Sequence, residues 1–103
     1  MCKISDYPGL YMKAREIVRT TGISPAMPGN EMLTRAIVIC KVQGIENLYN
    51  AVAKEMSVVP GQKLLTTNEE ERHPVKQMIL EAMRSVGIEE NVKIFVQELA
   101  DQI

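Results

Sequence analysis

Aromatic side chains and net charge are both scarce in this sequence, and each shortage excludes a class of protein. Aromatic residues make up 4% of the 103 residues and Trp is absent, whereas apolar residues make up 46%. Because strands favour aromatic and β-branched side chains, this composition predicts a helical domain rather than a sheet-rich one. The 12 basic and 13 acidic residues leave a net charge of −1, which excludes a polyelectrolyte tail. The length suits a single domain, residues 1–103.

Long apolar runs are also missing. The longest is the five-residue run from Ala36 to Cys40, far short of the roughly 20 residues that span a bilayer. The N-terminus lacks the basic-then-apolar pattern of a signal peptide, so we expect a cytoplasmic protein without a membrane segment. The two cysteines, Cys2 and Cys40, lack the spacing of a disulfide framework, which predicts free thiols, with Cys40 in the core.

The sequence does contain helical periodicity of apolar residues, in five segments. They predict an all-α fold, a compact bundle of about five helices. The predicted segments are Tyr7–Thr21, Asn30–Cys40, Ile45–Met56, Pro74–Val86 and Glu89–Ile103. Between the third and the fourth, residues 57–74 lose the periodicity and are expected to form an irregular insertion.

Proline, glycine and asparagine mark the predicted boundaries. Pro8 and Pro74 fit the first turn of a helix, where the missing N–H costs nothing. The second helix follows a chain break that ends at Pro28-Gly29, and Asn30 is its predicted N-cap. Since this helix is apolar on most of its circumference, we expect it to be the most buried one. Three pairs predict helix ends: Gly22-Ile23, Gly44-Ile45 and Gly87-Ile88.

The sequence offers little to support catalysis or metal binding. Its only histidine, His73, has Cys40 as a conceivable nucleophilic partner, but burial in apolar surroundings would make that thiol inert. Glu70 and His73 have the Glu-x-x-His spacing of carboxylate-bridged metal sites, yet no other predicted helix carries a carboxylate on its apolar face. We interpret Glu69 to Arg72 as a solvated charge run. Residues 60–63 contain a Gly and a Lys but lack the spacing of a phosphate-binding loop. The sequence therefore predicts no enzyme, no metal and no cofactor.

Several short elements run through most of the chain in a characteristic order. They are Gly22-Ile23, Gly29, Leu33, Ala36-Ile37, Leu48-Tyr49, Val52-Ala53-Lys54, Val75 and Ile79. Over residues 15–103 they resemble the C-terminal DNA-binding effector domain of the sporulation-initiation response regulator of endospore-forming bacteria. The resemblance implies an all-helical domain that regulates transcription, with the second helix of a helix-turn-helix pair in the major groove of double-stranded DNA. It also implies dimers on repeated DNA sites.

The resemblance makes the helix from Pro74 the recognition helix. The candidates for groove contacts are the polar residues that this helix itself offers, Lys76, Gln77 and Arg84. Phosphate contacts are expected from Arg72, Lys54 and Lys63. The remaining basic residues of the first two helices are candidates for a second basic area: Lys13, Arg15, Arg19 and Arg35.

Departures from the family keep a second function open. Eighteen residues, Ser57 to Pro74, replace a turn that normally has three or four, and groove-facing basic positions of the family hold Gln77, Leu80 and Glu81. An ungapped alignment would instead make residues 60–67 the recognition helix, although Lys63 is their only charge. The alternative function is a protein-interaction or dimerisation module that keeps the fold without binding DNA. The DNA hypothesis requires the polar flank of the helix from Pro74 to face outward.

Overall fold

The computed structural model describes residues 4–56 and 73–103. In these ranges the chain forms one 3-10 turn, Ile4–Asp6, and five α-helices. The helices are α1 (Pro8–Thr20), α2 (Pro28–Gln43), α3 (Leu48–Glu55), α4 (Pro74–Ser85) and α5 (Val92–Ala100). The same ranges contain no strand, so the predicted all-α bundle of about five helices is confirmed. No helix within them is both long and apolar enough to cross a membrane.

Prolines and glycines mark the boundaries of these helices, largely as predicted. Pro8, Pro28 and Pro74 lie in the first turns of α1, α2 and α4, where a residue without an N–H leaves no hydrogen bond unmade. The three predicted glycine stops have positive φ angles, at Gly22 (85°), Gly44 (94°) and Gly87 (79°). Of the predicted irregular insertion, residues 57–74, only the last two are among the described residues, and they form the start of α4.

Asn30 does not cap α2, contrary to the prediction. The helix begins two residues earlier, at Pro28, with Met27 as the N-cap residue in an extended conformation. Asn30 therefore lies inside the first turn, and its Nδ2 donates to the carbonyl oxygen of Ile23 at 3.0 Å. The physical reason is that Pro28 has a φ already suited to a helix, so α2 starts there without a side-chain cap.

Two other helices begin later than their apolar periodicity predicts. The prediction placed Ile45 in the third helix, but Asn47 adopts a left-handed conformation, φ 58°, which no helix continues through. Ile45 consequently lies in the connection, packed against the core. The last helix begins at Val92 because the Oδ1 of Asn91 accepts the N–H of Ile94 at 3.2 Å, as an N-cap does.

The second helix, α2, is the central element, as predicted. It contacts the 3-10 turn and each of the other four helices. Its side chains are buried around most of its circumference, and Leu33, Ile37 and Val38 are wholly inaccessible to solvent. Burying an apolar side chain of this size contributes about 1.5–3 kcal/mol before the opposing loss of chain entropy. The core is therefore organised around α2, with the other helices arranged on its surface.

At Gly29 the first turn of α2 lies directly against the backbone of α4. The sequence assigned Gly29 to a chain break, but it is a buried residue of the first turn of α2. A Cβ atom there would overlap the carbonyl oxygen of Met78 and would lie 2.7 Å from the Cβ of Ala82. Glycine is required at this position because the backbone of α4 occupies the space that a side chain would need.

Candidate nucleic-acid interface

The candidate recognition helix, α4, packs along one side and leaves the other side exposed. Its buried side chains are Val75, Ile79, Ala82 and Met83, and they repeat at the three- and four-residue spacing of one helical face. This face packs mainly against α2, with further contacts to α3 and α5. The helix of twelve residues is about 18 Å long. Since α3 also packs on α2, the two helices of the proposed pair lie side by side on a common support.

The predicted groove contacts lie along this exposed side. Gln77 and Arg84 are exposed, and Lys76 is half-buried. Gln77, Glu81 and Arg84 follow each other at intervals of four and three residues, so they share one face of the helix. Of the predicted phosphate contacts, Lys54 is exposed in the last turn of α3. The other two, Arg72 and Lys63, lie outside the described residues.

The charge on this face is small. α4 carries two basic residues, Lys76 and Arg84, against one acidic residue, Glu81. Glu81 lies between Gln77 and Arg84 on the exposed face, where its carboxylate would repel a phosphate backbone. The face is therefore polar and weakly basic, with a negative group at its centre.

The start of α4 is attached to α3 through His73. This side chain is 2% exposed, and its Nδ1 accepts the backbone N–H of Val75 at 3.1 Å, which makes His73 the N-cap of α4. Its Nε2 lies 2.7 Å from the Oδ1 of Asn50 on α3. The His73 ring also contacts the ring of Tyr49, with 5.7 Å between centroids. These contacts set the position of the first turn of α4, which contains Lys76 and Gln77.

The role of His73 as an N-cap was not predicted from the sequence. A local signal was present, because the residue immediately before a proline at the first helical position occupies the N-cap. The considered pairing with Cys40 is not formed, and the other considered partner, Glu70, lies outside the described residues. The Sγ of Cys40 donates to the Oε1 of Gln97 at 3.6 Å, whereas the ring of His73 bonds to Asn50 and Val75. The described residues include no cluster of three or more His, Cys, Asp or Glu side chains suited to a metal.

Cys40 is a free, buried cysteine, as predicted, and Cys2 lies outside the described residues. Burial raises the pKa of the Cys40 thiol, and the negative charge of Asp101 raises it further. Since the thiolate is the reactive form, this environment makes Cys40 a poor nucleophile at neutral pH.

Of the four candidates for a second basic area, three are exposed on α1 and one, Arg35 on α2, is half-buried. The exposed three are Lys13, Arg15 and Arg19. The Nε of Arg35 donates to the Oε2 of Glu31 at 2.8 Å, and its Nη1 lies 3.8 Å from a carboxylate oxygen of Glu55. Two acidic partners neutralise the guanidinium, so Arg35 is a structural residue and is not a candidate DNA contact.

Arg35 belongs to a polar network that joins four elements of the fold. The hydroxyl of Tyr11 donates to the same Glu31 oxygen at 2.7 Å, and the N–H of Ile4 donates to Glu55 at 3.3 Å. Burial raises the pKa of Tyr11, and the bond to the Glu31 carboxylate raises it further. Only the four-residue spacing of Glu31 and Arg35 was visible in the sequence, because the other partners come from distant segments.

Comparison with known proteins identified no relative. No protein-family model matches this chain, and neither a curated protein nor a solved structure matches it. The resemblance to the sporulation-regulator effector domain accordingly depends on the short sequence matches alone.

Proposed function

We propose that this protein is a small DNA-binding regulator of transcription, of helix-turn-helix type, that inserts α4 into the major groove of double-stranded DNA. The observation that carries the proposal is the exposed polar flank of α4, with Gln77 and Arg84 outward and the opposite flank packed on α2. A helix held in this way presents its polar side chains on a rigid support. The resemblance to a sporulation regulator suggests the kind of gene that such a protein would control.

The dimensions of α4 suit a major groove. The groove is about 12 Å wide and admits one α-helix, whose N-terminal residues contact base edges in helix-turn-helix proteins. Lys76 and Gln77 are in the first turn of α4. Gln pairs with the N6 and N7 of adenine, and Arg pairs with the O6 and N7 of guanine. Arg84 lies about 10 Å further along the helix axis, roughly three base pairs away.

Phosphate contacts would come from residues beside this helix. Lys54, in the last turn of α3, is exposed and is the described candidate for such a contact. Arg72 and Lys63 were predicted from the sequence as further phosphate contacts, and they stay predictions. With so few cations, the affinity should fall less steeply with salt than for a strongly basic protein, since the slope is about −0.9 per phosphate neutralised.

Binding to duplex DNA tests the proposal directly. We would measure fluorescence anisotropy of a labelled random-sequence duplex at about 50 and 200 mM salt, the range in which phosphate contacts change affinity most. The Lys54→Gln variant, which removes the described phosphate contact, should bind several-fold more weakly and reduce the salt slope by about one. Lys41→Gln is the matched control, because it removes one exposed charge from α2. No binding at low salt, or equal losses in both variants, would contradict the proposal.

A second substitution tests the acidic centre of the face. Glu81→Gln removes a negative charge from between Gln77 and Arg84, so it should strengthen DNA binding. Glu16→Gln on α1 makes the same change at an exposed position on another element. An equal gain in both variants would mean that only net charge matters, and it would argue against α4 as the contact surface.

A protein-interaction or dimerisation module is the second candidate, and two observations favour it. Glu81 disfavours DNA at the centre of the face, and large apolar side chains are exposed elsewhere, with Met12 at 60% and Ile94 at 55%. In this case Ile94→Ser would reduce self-association measured by sedimentation, while Arg84→Gln would change nothing. A strictly monomeric protein that binds no partner would contradict this second candidate.

A further inference from the structure

Hydrogen bonds at both ring nitrogens define the protonation state of His73. A backbone N–H can only donate, so the Nδ1 that accepts from Val75 at 3.1 Å carries no proton. The Nε2 lies 2.7 Å from the Oδ1 of Asn50, an oxygen that can only accept. The Nδ2 of Asn50 donates to the Oδ1 of Asn47 at 3.0 Å, which supports this orientation of the amide. The ring is therefore neutral, with its proton on Nε2.

A second proton would break the contact that caps α4. It would have to go on Nδ1, where it would point at the N–H of Val75 in place of the lone pair that now accepts it. The resulting charge would lie at the N-terminus of α4, the positive end of the helix dipole. With 2% of the residue exposed, water could not replace the lost interactions without displacement of the ring. Protonation and the capped start of α4 are thus incompatible.

The helices around His73 carry charged groups of both signs. On α5, the Nζ of Lys93 lies 5.0 Å from the centre of the Tyr49 ring, which in turn contacts His73. Lys76 follows in the first turn of α4, and Lys54 follows Asn50 by one turn of α3. The nearby acid of α3, Glu55, interacts with Arg35 and the N–H of Ile4, and the acid of α2, Glu31, with Arg35 and Tyr11.

We propose that His73 is a pH-sensitive latch, which holds the first turn of α4 against α3 while neutral and releases it when the ring gains a second proton. The first turn carries Lys76 and Gln77, so release would displace two of the proposed groove contacts. This consequence rests on the proposed DNA-binding function, but the latch itself does not. A drop in pH would then weaken DNA binding without any change in the exposed face.

The first experiment observes the ring directly. His73 is the only histidine of the chain, so nitrogen NMR of the imidazole needs no assignment by mutation. At about pH 7.5 the Nε2-protonated neutral form should dominate, and acidification should produce the doubly protonated ring together with faster amide exchange at Val75 and Gln77. A charged ring at about pH 7.5, or protonation that leaves the exchange of α4 unchanged, would overturn the proposal.

The second experiment measures the effect on folding. The folded state resists a proton that an unfolded histidine takes up below about pH 6.5, so the unfolding constant should rise as pH falls, by at most tenfold per pH unit. His73→Asn is the matched variant, because Asn also accepts an N-cap hydrogen bond but does not titrate. Its stability should not change between about pH 7.5 and 5.5. Equal pH dependence in both proteins would assign the effect to other groups and overturn the latch.

DNA binding at two pH values separates the latch from the proposed function. If both hold, acidification to about pH 5.5 weakens binding several-fold in the natural protein and less in His73→Asn. Absence of DNA binding at about pH 7.5 would overturn the proposed function and leave the NMR and stability results to decide on the latch. Equal weakening of the two proteins would overturn the latch while leaving the DNA proposal in place.

Discussion

Helices α2 and α4 have similar sequence features but lie in different surroundings. Both begin with a proline, and both carry a Glu and an Arg within one turn of each other. In α2 the pair Glu31–Arg35 is completed by Tyr11 and Glu55 from neighbouring elements. In α4 Glu81 and Arg84 are exposed, and neither forms an ion pair within residues 4–56 and 73–103.

The comparison shows that the role of a charged pair depends on the residues around it. α2 lies at the centre, so even its polar side chains meet other helices and become part of the framework. In α4 the buried residues lie on one face of the helix, and the same charged residue types lie on its exposed face. Charges of the first kind stabilise the fold, whereas those of the second kind can contact a partner.

The largest loss of stability should come from Gly29→Ala, which disturbs the contact between α2 and α4. The new Cβ would overlap the backbone of α4 at Met78, so the helices would have to separate. We expect a loss of about 1–3 kcal/mol in the free energy of unfolding, measured with urea. Gly9→Ala in α1 is the control, since its Cβ would meet no atom within 4 Å. Similar stability of the two variants would show that the approach at Gly29 is not close.

Replacing one arginine in each helix should separate structural from exposed charge. Arg35→Ala removes two acidic contacts at a side chain that is 27% exposed, and we expect a loss of about 1 kcal/mol in unfolding free energy after allowing for solvent screening. Arg84→Ala should change the stability by less than about 0.5 kcal/mol. Thermal unfolding of both variants gives the measurement. An equal loss of unfolding free energy in the two variants would mean that Arg84 is not an exposed side chain without structural contacts.

High pH should weaken the α1–α2 side of the molecule through Tyr11. Burial and the Glu31 carboxylate raise the pKa of Tyr11, so the folded state retains a proton that the unfolded chain loses above about pH 10. Stability should consequently fall as the pH rises above about 10. Tyr11→Phe should reduce this dependence and Tyr7→Phe, at an exposed position, should not. Ultraviolet absorbance of the phenolates and urea unfolding at each pH would test both statements. Identical pH dependence of stability in the natural protein and in Tyr11→Phe would contradict them.

The last prediction involves no loss of stability and concerns the buried end of α2. Because burial raises the pKa of Cys40, its thiol should react with a soluble disulfide reagent at neutral pH at least about tenfold more slowly than an exposed cysteine. The Cys2→Ser variant isolates the Cys40 reaction, and urea-unfolded protein supplies the exposed reference. Equal rates in the folded and unfolded states would show that α2 is accessible at this end.

Much of the helical framework could be predicted from local patterns. Apolar periodicity located the helices, and Pro8, Pro74 and the glycines marked their boundaries, because these signals depend on residues a few positions apart. The predicted helix boundaries were wrong where a local signal was overridden by another interaction or by the backbone conformation. Asn30 bonds to Ile23 and does not cap its helix, and Asn47 interrupts a run of apolar residues that reads as continuous helix.

The candidate site was predictable only in outline. The polar flank of α4 follows from the spacing of its apolar residues, so Gln77 and Arg84 could be expected to lie together. The burial of His73 could not, because it depends on Asn50, 23 residues away in the chain. Likewise Arg35 is excluded as a DNA contact by its ion pair with Glu55 on α3, twenty positions further along the chain, which helical periodicity does not reveal.

The amino-acid sequence by itself determined that this chain forms helices, roughly where each one lies, that the second is the most buried, and which residues form the apolar faces, since these follow from backbone preference and side-chain spacing. Only the tertiary structure decided which charges are paired, where three of the helices begin, and that a lone histidine fastens α4 to α3. The reason is physical: burial and hydrogen bonding depend on which distant residues share the same few ångströms, and that is settled when the helices pack.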